Sequence, residues 1–430
     1  MSLDRRMFLR GAALGAAGLA VSGPVAGGEA GPASVAGALP SYTEGDQEAY
    51  WSAVRARYSL SQQLTYFNTG GLGPAAISVL AKAAEITRQL QEKSEHGHGL
   101  LEGARAEVAR FLGADPRGIA FMRNATEGNA TVAAGLKLGE GDEVIYETHA
   151  HPGGAFSWRQ QARLRGVVVK TFEPATGSPE ANVARVQALL TRRTRVVQVS
   201  HVTAPTGIVM PVAALSRLCR ERGIWFHIDG AQSAGMLPFS LRELGGDSFA
   251  TSGHKWLGGP HETGVLYVKP ERMDEVAPVL AGAYTGDLDA VTGAFRLTET
   301  AMRYEYGTRN AAAVLGLVEA MRFQEQVGRA RIAARGRALT ERVRRGLGEL
   351  KGVEILTPAH PALSAAMLTF RTAAVPQDQL FAKLMNTRAI RCRPVTEEKL
   401  NALRVSTHLF NSPAECDALI AGVREILASA

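Results

Sequence analysis

The amino-acid sequence predicts an α/β protein: a large domain built on a mostly parallel sheet covered by helices, followed by a smaller C-terminal α/β domain. Seven strand-like runs, at residues 119–122, 143–146, 167–172, 196–201, 224–228, 248–251 and 265–268, are separated mostly by helix-like stretches. Strands joined through helices run parallel, because each crossover returns the chain to the same end of the sheet. Beyond a long helical stretch at residues 311–350 the pattern restarts: a strand at 365–371, a helix at 377–386, a strand at 390–393 and a last helix at 413–428. The 430 residues leave room for both units,.

Before the first of these strands, residues 40–67 are polar and partly helical. The run Thr-Tyr-Phe-Asn-Thr-Gly-Gly-Leu-Gly-Pro at 65–74 then turns into a helix that starts at Pro74 and Ala75, proline suiting the first helical position,. The expected division is an export leader at 1–38, an N-terminal segment at 39–67, a large domain at 68–310, and a linking helix with the small domain at 311–430.

The leader reading rests on Asp4-Arg5-Arg6-Met7-Phe8-Leu9-Arg10, followed by a weakly apolar Ala/Gly/Leu run to Val21 and then small residues. This resembles a twin-arginine export signal, which implies the twin-arginine translocase as a transient partner and a periplasmic destination. That route carries folded proteins, so a coenzyme is loaded before export. The apolar run is too short and glycine-rich to span a bilayer, and no other stretch approaches the ~20 apolar residues a spanning helix needs. Stable membrane insertion is not expected. The net charge of +7 is spread along the chain. Its one dense cluster, at 329–345, is interleaved with alanine and leucine as in an ordinary solvated helix, which argues against nucleic-acid binding. Three cysteines, Cys219, Cys392 and Cys416, make no disulfide framework and leave a Cys392–Cys416 bridge as the single pairing considered,.

The chemistry begins at Ser252-Gly253-His254-Lys255-Trp256, a lysine just after a strand and a small polar turn. Upstream, another strand ends in an acid, in His227-Ile228-Asp229-Gly230-Ala231-Gln232. Alone, each is an ordinary residue: lysines are mostly exposed and aspartates commonly follow strands. Together they lie at the carboxyl ends of successive strands, where open α/β sheets place ligands. A carboxylate and a lysine so placed can flank a pyridine ring, the acid holding its nitrogen protonated and the amine bonding to its aldehyde carbon. The cofactor implied is pyridoxal 5'-phosphate. Arg123-Asn124-Ala125-Thr126-Glu127 opens a helix directly after the 119–122 strand, and free amides there, at Ala125 and Thr126, with the threonine hydroxyl, suit a phosphate. Ser252 and His254 would add donors from the other side. An aromatic to lie on the ring is expected at His149 or His151.

On these residues the stretch from about Tyr66 to Leu427 resembles the class V aminotransferases of PLP fold type I, the group with cysteine desulfurases, selenocysteine lyases and isopenicillin N epimerase. The resemblance implies His151 as the ring-stacking histidine with Trp158 behind it, and Gln232 at the ring hydroxyl. It also implies Ser252, His254 and Thr126 at the phosphate. Thr308, in Tyr304-Glu305-Tyr306-Gly307-Thr308-Arg309-Asn310, matches a threonine that reaches the partner subunit's phosphate, which implies a homodimer with shared active sites. Arg404 matches the arginine that pairs with a substrate α-carboxylate. Arg393 falls at a second carboxylate-binding position, and Asn68 joins them on the substrate side.

Departures from the family pattern narrow the reaction. Desulfurases carry a nucleophilic cysteine in the loop before the substrate arginine, but residues 394–403 hold none. Cys392 alternates with Arg393 along a strand and so faces the other way. Ala204 stands where serine or asparagine is usual, and His261 with Glu262 are unusual in their turn. The expectation is an enzyme acting on a small molecule with an amino group next to a carboxylate, transamination preferred, with epimerisation, carbon–sulfur cleavage or a non-catalytic binding role as alternatives. Exported relatives that tailor the glutamyl side chain of pyoverdine siderophores share the leader and family.

Overall fold

The computed structural model describes residues 38–43 and 46–429; all but the last residue of the export leader expected at 1–38 lies outside them. Seven strands form the large sheet, in the spatial order Ile119–Met122, Gly264–Val268, Ser248–Ser252, Trp225–Asp229, Thr194–Ser200, Glu143–Glu147, Val168–Phe172. Six of them point the same way, and Gly264–Val268 runs antiparallel to both its neighbours, so the expected mostly parallel sheet is found with each strand within two residues of its predicted bounds.

Side-chain alternation divides each strand between two cores. In Trp225–Asp229, Phe226 and Ile228 join Leu112, Leu215 and Leu317 on one face, while Trp225 joins Val132 and Trp158 on the other. His227 and Asp229 follow Trp225 at steps of two and share its face. They lie beneath Ala125–Gly135, whose Asn129 bonds to both. The strand carboxyl ends, from Glu147 to Ser252, therefore open on one side under that helix and Pro152–Arg165.

A second sheet of four antiparallel strands follows, in the order Val353–Ile355, Met367–Thr372, Ala402–Ser406, Arg393–Val395. Leu368, Phe370, Leu403 and Val405 pack on Leu339, Leu380, Leu384 and Leu419 of three helices behind it. Arg404 and Thr369 alternate onto the open face. Residues from Leu39 onward form one compact unit.

Three expectations are corrected. The helix placed at Pro74–Ala75 is Ile77–Lys93, because Ala76 is still extended (φ −67°, ψ 156°). The long 311–350 helix is two, Ala311–Val327 and Arg329–Gly348, broken at Gly328 with φ +96°, which a side chain resists,. The 390–393 strand splits into Ile390–Arg391, paired with Thr65–Tyr66, and Arg393–Val395, paired with Ala402–Ser406. Val353–Ile355 and Ala402–Ser406 were not foreseen as strands; each is short, at three and five residues. All three cysteines are free, so the considered Cys392–Cys416 bridge does not form.

Candidate active site

A cavity of about 260 Å³ opens at the carboxyl ends of the large sheet, against the second sheet. Ala125, Thr126, His151, Asp229, Gln232, Ser252, His254, Lys255, Arg393 and Arg404 all line it. Asn68 reaches it through Arg404, whose Nη2 donates to Asn68 Oδ1 at 3.3 Å. Thr308 is not brought in: it is exposed and does not line this chain's cavity. His149 is also outside, its Nδ1 paired with Thr206 Oγ1 at 2.8 Å, and His261 and Glu262 are exposed rather than lining.

One end of the cavity is built to hold an anion. Asn124 caps the Ala125–Gly135 helix, its Oδ1 accepting from Glu127 N at 2.9 Å, and Ala125 N donates to Ser252 Oγ at 3.0 Å. The Thr126 amide in the same turn has no intrahelical acceptor, as at any helix start. Opposite it, His254 Nδ1 is buried with no hydrogen-bond partner. Space is kept by Gly153, where a Cβ would lie 2.3 Å from Thr126 Oγ1.

His151 is the N-cap of Pro152–Arg165, its Nδ1 accepting from Gly153 N at 3.0 Å, which sets the ring's orientation. Burial, then the nearby Lys255, lowers its affinity for a proton. Asp229 is held at both oxygens: Oδ1 accepts from Ala231 N at 3.0 Å and Oδ2 from Asn129 Nδ2 at 2.9 Å. Gln232 Nε2 donates to Gly70 O at 2.9 Å while its Oε1 accepts from Trp256 Nε1 at 2.7 Å, leaving the second amide N–H for a ligand,. Trp158 is fully buried and donates to Gln198 Oε1 at 2.7 Å.

Lys255 is pushed down to about 8, by burial first and by Arg404 and Arg393, with Asp229 opposing. The amine therefore loses its proton more readily than a surface lysine. Arg404 is 1% exposed, yet its partners are neutral: Nη1 donates to Ala204 O at 2.7 Å, Nη2 to Asn68, and Nε to nothing. Burial and the neighbouring Arg393 press against its charge. The Ala204 departure thus removes a side-chain contact, while the backbone carbonyl there still steadies Arg404. Arg393 stands directly across from Arg404 in the antiparallel register and is ion-paired with Glu397, with its Nη1 buried and unpaired. Among the described residues no cluster of His, Cys, Asp and Glu is arranged to hold a metal.

Asn129, His227, Gly153 and Glu397 were not anticipated. The first two had a signal: His227 lies two residues before Asp229 on one strand and so shares its face. Glu397 had none, since it sits in a loop with Glu398, Lys399 and Asn401 at positive φ.

A lysine with a lowered proton affinity, a doubly held carboxylate, an anion cradle and a flat histidine around one cavity define a pyridoxal 5'-phosphate-dependent enzyme of PLP fold type I. The unpaired His254 Nδ1 and the free first-turn amide fit the phosphate of that cofactor. Residues 77–419 match the class V aminotransferase family, and the chain belongs to it. It is 32% identical over 401 residues to an isopenicillin N epimerase of Amycolatopsis lactamdurans, covering 87% of this chain and 98% of that protein. A probable cysteine desulfurase of Pyrococcus abyssi is 29% identical over 397 residues, 87% of this chain and 97% of the other. Among solved structures, a lysine-to-alanine mutant of C-DES with glycine covalently linked to its PLP cofactor superposes with a TM-score of 0.79, at 26% identity over 86% of this chain and 99% of that one.

The thiols bear on the desulfurase branch. Cys392 is 2% exposed in the core behind the second sheet, on the face away from Arg393, and burial pushes it up to about 12. Cys219 and Cys416 are likewise buried and pushed up to about 12. A thiolate is the nucleophile, so none of them is suited to accept sulfur. A Cys219→Ala, Cys392→Ala, Cys416→Ala variant is expected to lose about 1 kcal/mol or more of stability to its small cavities and to keep native activity. Sulfide release from cysteine by the wild type that vanishes in this variant would reverse the assignment.

Proposed function

We propose that this chain is an exported, periplasmic enzyme that transaminates an amino acid, or an amino-acid side group of a small molecule, with Lys255 as the proton carrier. The observation that carries this reading is the convergence on one cavity of Lys255, Asp229 and a buried Arg404 whose hydrogen-bond partners are all neutral. In it, the Ala125–Thr126 turn with the Thr126 hydroxyl, Ser252 and His254 would hold the cofactor phosphate, His151 would cover the ring and Gln232 would offer its free amide N–H to the ring hydroxyl. When bound, pyridoxal 5'-phosphate supplies an electron sink for the pair left on the substrate α-carbon. Asp229 would keep the ring nitrogen protonated. Arg404, steadied by Asn68, grips the α-carboxylate through Nε and Nη, and Arg393 assists from the opposite strand. Lys255 Nζ takes the α-proton and returns it.

Lys255 is the lining base left for the α-proton, since His151 Nδ1 is capped, Asp229 is held at both oxygens and the unpaired His254 Nδ1 is assigned to the phosphate. One base suits transamination; inversion at carbon calls for a second group on the opposite side. The identity to isopenicillin N epimerase favours epimerisation as the second reading. Tailoring of a glutamyl side chain on a pyoverdine-type siderophore fits the same combination of leader and cavity. Exposed Thr308 supports a homodimer in which it serves the partner's phosphate. The test is incubation with a panel of amino acids and periplasmic extract in D₂O, read by mass spectrometry and chiral chromatography. Transamination gives one 2-oxo acid per site without an acceptor, and an enantiomer without 2-oxo acid replaces it by the second reading.

Export is tested separately. An Arg5→Lys, Arg6→Lys variant is expected to leave a yellow, cofactor-loaded precursor in the cytoplasm, visible by fractionation and absorbance. Undiminished periplasmic protein in a strain lacking the twin-arginine translocase would sink the export reading.

A further inference from the structure

Asp229 is the last member of a buried chain of side chains in which every donor is determined. Trp225 Nε1 donates to Ser248 Oγ at 2.9 Å, an indole having no acceptor,. At the other end, Asn129 Nδ2 donates to Asp229 Oδ2 at 2.9 Å, so Asn129 presents its oxygen to His227 Nε2, 2.8 Å away. That nitrogen must carry the proton. A neutral imidazole has one N–H, so Nδ1 is bare and accepts from Ser248 Oγ at 2.7 Å, the hydroxyl passing on the direction set by Trp225,. His227 is fully buried and pushed down to about 4 by burial, consistent with a neutral ring.

The strands hold the chain in register. His227 pairs with Ser248 across neighbouring parallel strands, and Trp225, His227 and Asp229 alternate onto one face,. Above them Gly154 closes the last link: a Cβ there would lie 2.9 Å from Asp229 Oδ2 and 3.3 Å from Asn129 Nδ2. With these donors the relay points one way, from Trp225 to the carboxylate. Buried networks of this kind are effective only when every member is satisfied.

We propose that His227 and Asn129 are positioning residues, locking the Asp229 carboxylate in one rotamer for the cofactor ring nitrogen through a hydrogen-bond relay that starts at Trp225. This rests on the assignment of Asp229 to that nitrogen. Losing a hydrogen bond to a charged group is a roughly tenfold effect or more, so His227→Phe and Asn129→Leu should each weaken binding of added pyridoxal 5'-phosphate about tenfold. Both should also lower kcat for the fastest amino acid of the panel with little change in KM. His227→Gln, whose amide can still donate to Asn129 Oδ1, should recover most of both losses.

Two measurements keep the outcomes apart. On wild-type holoenzyme labelled with ¹⁵N-histidine, with His227 assigned by its absence in His227→Gln, long-range proton–nitrogen spectra should show a proton on Nε2 and none on Nδ1. A proton on Nδ1 overturns the relay even if the other variants do not fold. Asp229→Asn is the second reference. If it is crippled while His227→Phe and Asn129→Leu match wild type, the relay is wrong and the role of Asp229 stands; if it matches wild type, the role of Asp229 falls first. Equal damage in His227→Gln and His227→Phe would reduce His227 to a shape requirement and overturn the relay as well.

Discussion

Lys255→Ala is expected to abolish turnover by about 10³-fold or more, the upper part of the range for losing a positioned proton-transfer group, while the protein folds and still binds the cofactor phosphate. Lys255 sits in the turn after Ser248–Ser252 and its lowered proton affinity comes from burial beside two arginines. The sign of a pH effect follows. Attack on the cofactor aldehyde needs the neutral amine, so rebinding of cofactor to apoprotein should accelerate as pH rises through about 8 and then level, well below the range of an exposed lysine,. Borohydride reduction and peptide mapping should place the phosphopyridoxyl group on Lys255. A label on any other lysine, or a pH midpoint near that of free lysine, contradicts the assignment.

The second large effect is expected at Arg404. Arg404→Ala should cost ~2 to 5 kcal/mol in kcat/KM, as for removing one side of a desolvated charge pair, or roughly 30- to 5000-fold. The buried guanidinium hydrogen-bonds only to the Ala204 carbonyl and the Asn68 amide oxygen, and Glu397 acts on it at a distance while paired with Arg393, so an incoming carboxylate would be the first to bond to it directly. Arg404→Lys keeps the charge and loses the planar fork, and should fall between the two. The control is the amine corresponding to the substrate without its carboxylate. Wild type should discriminate strongly against it and Arg404→Ala should not. An equal loss on both compounds would mean that Arg404 supports the fold rather than the carboxylate.

How much of this was readable beforehand depended on how local each feature is. Lys255 and Asp229 close consecutive strands of an alternating pattern, so both the pattern and the sheet rule pointed to them. His227 was equally readable from its two-residue step to Asp229 and was passed over because a histidine inside a strand looks like core. Arg404 was reached only by family resemblance: its strand pairs with Met367–Thr372 and Arg393–Val395, and nothing in five residues tells which strands will flank it. The helix start at Ile77 was misplaced because proline suits a first turn, yet Ala76 keeps the chain extended for one more residue. Glu397 was unreadable, since its place depends on left-handed backbone at Glu398, Lys399 and Asn401 that no glycine announces. Thr308 illustrates a different limit: the family pattern pointed to it, yet it is exposed and outside its own chain's cavity, so the proposed homodimer has to be tested in a second copy.

The turn at residues 68–73 ties the site to the order in which the chain is made. Asn68 meets Arg404 across 336 positions, Gly70 O receives Gln232, and Gly73 N donates to His254 O at 2.8 Å, so close that a Cβ on Gly73 would lie 1.8 Å from the Lys255 carbonyl. A ribosome delivers this turn well before Arg404, which follows it by 336 positions. The Asn68–Arg404 contact therefore forms only after the second sheet has been made and has met the turn. Such distant pairings close slowly. Any truncation that removes the last strand of the second sheet should leave the large sheet with its lysine and its phosphate cradle but with no means of telling an amino acid from a simple amine.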